Sequence, residues 1–355
     1  MALSAGSCGI SRLSKFRGAL LGALLGDCLG SPFEFDDDES PIVIHKFFEK
    51  LEGPDFKFFF LLLAPKYAYT DDSAMTKCVA KSFVSQGCLD EKDLAKRFVT
   101  EFYSDRRRAN TYGQHVVDVF HKLRALKFAD PFKPASEQFN GTGSYGNGGA
   151  MRISPVALFC HTDYDVMLHT AKRVTQITHT HALGVNGAIL QCLAVHEGLT
   201  QDPTQGPLDV EKFTDGLISK MQMIEQTDEF DGKRPFHTQL LIMKKLLAKE
   251  GGANVHEVKE SLGNDVTAIF SVPTAIFSFL RAQKPIPGIE TENKFRRTVQ
   301  YAISLGGDTD TIASMAGAIA GAYFGEEEIS DPYRKYCEGV EEFLELADGL
   351  YELAK

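Results

Sequence analysis

From Leu13 to Leu29 leucines and alanines recur at helical spacing with small glycines between them, which predicts a tightly packed helix ending at Gly30-Ser31-Pro32. Met75, Val79 and Phe83 stand four apart with Cys78 on the same side, so a second helix should follow the oxygen-rich turn Tyr69-Thr70-Asp71-Asp72-Ser73. Helical periodicity returns over 94–102, 116–126, 166–178, 184–199, 239–247, 254–262 and 272–280, with prolines at 131 and 134 breaking the chain between the second and third of these. The alanine- and glycine-rich run from Ile312 to Phe324 reads as a further helix, with Thr309 or Asp310 placed to cap it. Alternating strand patterns are scarce, and neither a repeat nor an interdomain linker stands out. The expectation is therefore an all-α fold, one compact domain over residues 14–355 behind a flexible or targeting N-terminus of residues 1–13. Two stretches resist this reading. Residues 40–69 carry no assignable element, Phe56 to Ala64 within them suiting a buried helix turn or a strand equally, and polar, proline-bearing residues 200–237 suggest a mobile excursion.

Composition narrows the classes of function. With 355 residues, 43% hydrophobic and 24% charged, the chain can build its own core. Forty-eight acidic against 38 basic side chains give a formal charge of -10, which argues against a broad nucleic-acid surface and makes an anionic ligand depend on cations or backbone N–H groups. Seven scattered cysteines without a CxxC pair indicate a reducing compartment, with neither a disulfide framework nor a zinc knuckle. No apolar run reaches the roughly 20 residues that span a bilayer. Before Asp27 no acid occurs, and Arg12, Lys15 and Arg17 among Ser4, Ser7, Ser11 and Ser14 loosely resemble a mitochondrial transit segment, although the first core helix accounts for the residues from about Ser14 onward.

Chemistry concentrates in a few places. Ser304-Leu305-Gly306-Gly307-Asp308-Thr309-Asp310-Thr311 is a glycine-led turn dense in oxygen ligands, and Thr70-Asp71-Asp72 is another. Either alone is most simply a helix cap favoured by the macrodipole. Together Thr70, Asp71, Asp72, Asp308, Asp310 and Thr311 offer four carboxylates and two hydroxyls, more negative charge than two helix starts need. Converging N-termini would let these residues hold a pair of Mg²⁺ ions, which favour octahedral oxygen coordination and can clamp vicinal hydroxyls or a phosphate. The loop from Phe139 to Arg152 has five glycines between positions 141 and 149, so its backbone N–H groups are open to a ligand, yet it is neither a Walker loop nor a GxGxxG. His179 and His181 do not share a helix face, which disfavours zinc; His179 reads as a buried, backbone-satisfied residue or as a donor to a ligand. Glu34, ahead of the acid run Asp36 to Glu39, reads by itself as a surface carboxylate.

Six segments in order, GALLGALLGDCLGSPFE (18–34), TDDSAM (70–75), GSYGNGGAMR (143–152), THTHALGVNGAIL (178–190), SVPTAI (271–276) and SLGGDTDTIASMAGAIAGA (304–322), resemble the ADP-ribosylglycohydrolase family, within it the vertebrate branch acting on serine-linked ADP-ribose, poly(ADP-ribose) and O-acetyl-ADP-ribose. The resemblance implies an all-α fold with two Mg²⁺ ions, Mn²⁺ being an alternative, held by Thr70, Asp71, Asp72, Asp308, Asp310 and Thr311. It makes Glu34 a flap glutamate that shares proton transfer and water positioning with Asp308, and gives the diphosphate and distal part of ADP-ribose to Gly143, Ser144, Tyr145, Gly146 and Asn147. Phe139 and Tyr145 become candidates to flank adenine, and His179 a substrate contact. It further implies a monomer of the DNA damage response in cytoplasm and nucleus, or in the mitochondrial matrix, with no direct contact to DNA or membrane. A hydrolase for arginine-linked ADP-ribose and an inert crystallin-like relative are the alternatives. The second predicts gaps in the ligand set, and here every position is filled. Departures from the family pattern are the apolar stretch 56–64, Phe33 and Phe35 beside Glu34, and Asp265 and Phe270 near the substrate edge.

Overall fold

A computed structural model describes residues 9–34, 40–53, 66–225 and 230–354. Its helices of eight or more residues are α1 (Arg12–Gly30), α2 (Pro41–Glu52), α3 (Asp71–Gln86), α4 (Glu91–Ser104), α5 (Gln114–Ala125), α6 (Tyr164–Gln176), α7 (Ala182–Thr200), α8 (Val210–Ile224), α9 (Pro235–Leu247), α10 (Val255–Leu262), α11 (Ala268–Arg281), α12 (Lys294–Ser304), α13 (Thr309–Phe324) and α14 (Val340–Leu353). Among the described residues there are isolated bridges but no strand, so the all-α expectation holds. None of the helices is long and apolar enough to cross a membrane.

At the centre α1 and α13 lie antiparallel. Every residue of α13 is buried, as is nearly all of α1 from Ser14 onward, because helices apolar on all sides have no face to offer water. Their contact is backbone against backbone: a Cβ added at Gly18, Gly22, Gly26 or Gly30 would stand 2.3, 2.0, 2.1 or 2.6 Å from the carbonyl oxygens of Gly321, Gly317, Ala313 and Thr309 respectively. The glycines of the first predicted helix are thus a single stripe, one every four residues, on the face turned to α13. Around this pair pack α7, α11, α12 and α14.

This pairing sets where the oxygen-rich turn before α13 and Glu34 lie. The end of α1 meets the start of α13, Thr309 Oγ1 donating to the Gly30 carbonyl at 2.9 Å, and the 3₁₀ turn Ser31–Phe33 then presents Glu34 at the same end. The residue at the N-cap of α13 is Asp308, not Thr309 or Asp310 as expected, and it makes no side-chain cap bond, which leaves its carboxylate available for other partners.

Two further expectations change. Residues 200–237 contain α8, whose Phe213, Leu217 and Met221 recur at i, i+4 and i+8 and are buried, so this segment is part of the core. The unreadable region before Tyr69 contains α2, started by Ser40 and Pro41, with Ile44, Phe48 and Leu51 buried; exposed Ile42 and Val43 blur its apolar stripe. The stretch 56–64 and Phe35 lie outside the described residues. Phe213→Ala should cost roughly 3 kcal/mol in urea unfolding; a loss below about 1 kcal/mol would return α8 to the periphery.

Candidate metal and substrate site

The N-termini of α3 and α13 converge. Thr311 Oγ1 donates to Asp72 Oδ1 at 3.2 Å, joining the two oxygen-rich turns across 239 residues of sequence. The residue that aims α3 lies within the first of the six segments but has no role assigned from the sequence: Asp27, fully buried in the last turns of α1, accepts from the backbone N–H of Thr70 at 3.0 Å and of Ser73 at 3.0 Å. It supplies from another helix the anion that α3's N-terminal N–H groups and dipole favour. A lone acid inside an apolar helix was the available signal, since buried carboxylates persist when hydrogen-bonded. Thr70 caps α3 by accepting from Asp72 N, and Asp71 N donates to Thr111 Oγ1 at 2.9 Å.

Glu34, Asp308 and Asp310 each bring one carboxylate oxygen to within 4.8 Å of the other two. Asp308 Oδ2 accepts from Asn147 Nδ2 at 2.5 Å, and Asp310 Oδ1 from Thr311 N at 2.8 Å. Asp72 Oδ2 is buried with no hydrogen-bond partner. The ion pairs of the described residues lie elsewhere, as at Lys77–Glu101 and Arg108–Asp105, and none involves Asp27, Glu34, Asp71, Asp72, Asp308 or Asp310. Burial first, and mutual repulsion second, push Glu34 up to about 7 and Asp310 and Asp72 well above the carboxylate range; burial likewise raises Asp308 and brings Asp27 to about 6 against its hydrogen bonds. A concentrated, buried, oxygen-only set with one orphaned carboxylate oxygen fits a divalent cation.

A pH dependence follows from the sign of these shifts. With the folded pKa raised above the unfolded value, the native state holds its protons more tightly, so stability of the metal-free protein falls as pH rises from about 4 through the 7 of Glu34. Metal-free protein should therefore melt higher at pH 5 than at pH 7.5, and added Mg²⁺ should raise Tm more at pH 7.5, where the carboxylates are ionised. Calorimetric scans at the two pH values test this; a metal-free Tm that climbs with pH would contradict it.

The glycine-rich loop lies against this cluster. Asn147 N donates to the Val266 carbonyl at 2.9 Å, Ala268 N to the Tyr145 carbonyl at 3.1 Å, and Asp308 N to the Asn264 carbonyl at 2.9 Å. Residues 264–268 thereby tie the loop to the Asp308 turn. Gly143 has φ +75° and a Cβ there would meet Thr180 Oγ1 at 2.0 Å, while Ser144 Oγ accepts from Gly146 N at 3.3 Å. His179 is buried beneath the loop, its Nδ1 2.7 Å from Thr178 Oγ1. Tyr145 and Phe139 are both exposed but pack on different rings, Tyr145 on His181 at 5.7 Å and Phe139 on His115 at 4.5 Å, and no ring contact joins them among the described residues. Phe139 and Asn140 both take left-handed backbone conformations, φ 50° and 58°, an uncommon pairing without glycine. Asp265 and Phe270 stand exposed on the rim, and the charge of Asp265 adds to the upward push on Asp308.

A profile of the ADP-ribosylglycohydrolase family matches residues 9–355. The chain is similar to the ADP-ribosylhydrolase ARH3 of Gallus gallus, 43% identical over 351 residues covering 96% of this chain and 93% of that protein. It is equally similar to the ADP-ribosylhydrolase ARH3 of Homo sapiens, 42% identical over 350 residues covering 96% and 94%. Among solved structures, one titled ADP-ribosylglycohydrolase-related protein complex shares the fold with a TM-score of 0.68 at 22% identity, covering 97% of this chain and 99% of that one.

Proposed function

Because this chain belongs to the ADP-ribosylglycohydrolase family and is an ADP-ribosyl hydrolase, we propose that it releases ADP-ribose from modified serine by Mg²⁺-dependent cleavage at C1″, and acts also on poly(ADP-ribose) and O-acetyl-ADP-ribose. The observation that carries this reading is the convergence of Asp72 and Thr311, with the Glu34, Asp308 and Asp310 carboxylates within 4.8 Å of one another beside a glycine-rich loop. The serine linkage rests on the likeness of the Gly143–Asn147 loop to that branch of the family.

Thr70, Asp71, Asp72, Asp308, Asp310 and Thr311 would hold the metal, with Glu34 close enough to Asp308 and Asp310 to join them. Bound there, two divalent ions would neutralise the carboxylates and orient the ribose diol. The chain's own residues do the rest. Within the Gly143–Asn147 loop the N–H groups of Gly143 and Asn147 are engaged by the Gln138 and Val266 carbonyls, so those of Ser144 and Tyr145 are the donors for the diphosphate, and Phe139 or Tyr145 offers a face to adenine. Glu34, half-buried with a pKa near neutrality, can give a proton to the departing serine oxygen or take one from the water that attacks C1″. Asp308, oriented by Asn147, stabilises the positive charge that develops on the sugar in an oxocarbenium-like state. Water oxygen bonds to C1″, the C1″–O bond breaks, and one proton ends on serine.

Turnover of serine-linked, arginine-linked and polymeric substrates, measured side by side with and without EDTA, tests the proposal. Serine-linked substrate should be cleaved fastest, with activity lost on chelation and restored by Mg²⁺. Preference for the arginine linkage, or indifference to EDTA, overturns it.

A further inference from the structure

Arg152 is wholly buried, and among the described residues no carboxylate lies within ion-pair distance. Its Nη1 donates to the Gly148 carbonyl at 2.7 Å, and its Nη2 to the carbonyls of Val174 at 3.0 Å and Thr175 at 3.3 Å and to Thr178 Oγ1 at 2.8 Å. The negative end of the α6 dipole thus stands where a carboxylate would otherwise be required. Burial lowers the guanidinium to about 9, which leaves it charged at neutral pH and able only to donate.

Thr178, also buried, passes this direction on. Its oxygen accepts from Arg152 and lies 2.7 Å from His179 Nδ1. Were Nδ1 protonated, the oxygen would accept twice and the hydroxyl hydrogen would be stranded without a partner, at a cost of about 1–3 kcal/mol. With Nδ1 bare, the hydroxyl donates to it, and both the Thr178 hydroxyl and the ring nitrogen are satisfied. Burial and the nearby Arg152 charge hold the imidazole neutral, its pKa lowered to about 3, so its one proton belongs to Nε2. That edge of the ring faces the glycine loop: a Cβ built on Gly148 would stand 3.0 Å from Nε2 and 2.7 Å from Cε1, and one on Gly146 would stand 3.4 Å from Nε2.

We propose that Arg152 and Thr178 are positioning residues that fix His179 as the neutral Nε2–H tautomer, an uncharged donor to an anionic oxygen seated on the Gly143–Asn147 loop. The ligand half of this inference rests on the ADP-ribose reading above; the tautomer half does not. A neutral donor suits a site crowded with carboxylates. An uncharged N–H held by Thr178 keeps its direction for the ligand and persists across the working pH range.

Long-range ¹H–¹⁵N spectra of protein labelled at histidine nitrogens, with His179 assigned by loss of its signals in His179→Gln, read the tautomer directly. The unmutated protein should show a protonated Nε2 and bare Nδ1, unchanged from pH 5.5 to 8. Thr178→Val, which keeps the shape and removes the hydroxyl, should give a mixture of tautomers, and Thr178→Ser should restore the single form. An Nδ1–H tautomer in the unmutated protein, titration within that pH range, or an unaltered spectrum in Thr178→Val overturns the assignment. Calorimetric titration with ADP-ribose should show binding weakened by roughly 5–30-fold in Thr178→Val and within about twofold of normal in Thr178→Ser. Unchanged affinity in a Thr178→Val protein whose tautomer has shifted overturns the donor role. Failure of the unmutated protein to bind ADP-ribose sinks the functional reading, while the spectra decide the tautomer separately.

Discussion

Asp308→Asn should lose turnover by on the order of 10³-fold or more against serine-linked substrate while remaining folded. The substitution preserves shape, and the new amide oxygen can still accept from Asn147 Nδ2, so the turn between Gly307 and α13 has no reason to rearrange. What disappears is one negative charge from a set in which Glu34, Asp308 and Asp310 crowd within 4.8 Å. Because burial first, and the charge of Asp308 second, raise the Glu34 and Asp310 carboxyls, the metal-free variant should be at least as stable as the parent. Activity and stability then move in opposite directions, a pattern that a misfolded variant cannot produce. Steady-state turnover with saturating Mg²⁺ and Tm in EDTA are the two measurements. Retention of more than about a tenth of parental turnover removes Asp308 from the catalytic machinery.

Much of this candidate site could be read from the chain because its oxygen-bearing residues cluster in sequence as well as in space. Thr70-Asp71-Asp72 and Asp308-Thr309-Asp310-Thr311 each need only one helix start to gather them, and the surplus of carboxylates over capping needs was visible without a structure. Residues that act across elements were not visible in the same way. Asp27 caps α3 from within α1, and nothing local to Asp27 announces a helix 43 residues downstream. Arg152 sits within a recognised motif, yet its role depends on the end of α6 and on Thr178. The helices were legible where one face is cleanly apolar. They were obscured in α2 by exposed Ile42 and Val43, and in α8 by the polar and proline-bearing flanks that made 200–237 look like a loop. The glycines of α1 suggested close packing, but their partner on α13 was not legible, since a small-residue stripe specifies a distance of approach and leaves the partner's identity to the fold.

That stripe carries the second large effect: Gly26→Ala and Gly216→Ala, the same chemical change in two helices, should shift stability in opposite directions. At Gly216 in α8 a new Cβ meets nothing within 4 Å, so replacing a helical glycine gains the propensity and unfolded-state entropy difference, about 0.5–1 kcal/mol. At Gly26 the Cβ would stand 2.1 Å from the Ala313 carbonyl oxygen, 2.4 Å from its carbon and 2.6 Å from Ser314 N, all backbone atoms of a buried helix. No rotamer change relieves such a clash; α1 and α13 must move apart, and the contacts along their shared length loosen together. The expected cost is at least about 4 kcal/mol, large enough to lower the yield of folded protein. The damage should also reach the chemistry, because Gly26 precedes Asp27, which holds Thr70 and Ser73, and Ala313 follows Thr311, which holds Asp72. Whatever Gly26→Ala protein folds should therefore show a reduced Mg²⁺-induced rise in Tm, whereas Gly216→Ala should keep the full rise. Urea unfolding of both variants, with thermal scans at increasing Mg²⁺, decides it. Equal and small effects at the two positions would mean that α1 and α13 are free to separate, and that the site's geometry does not depend on their contact.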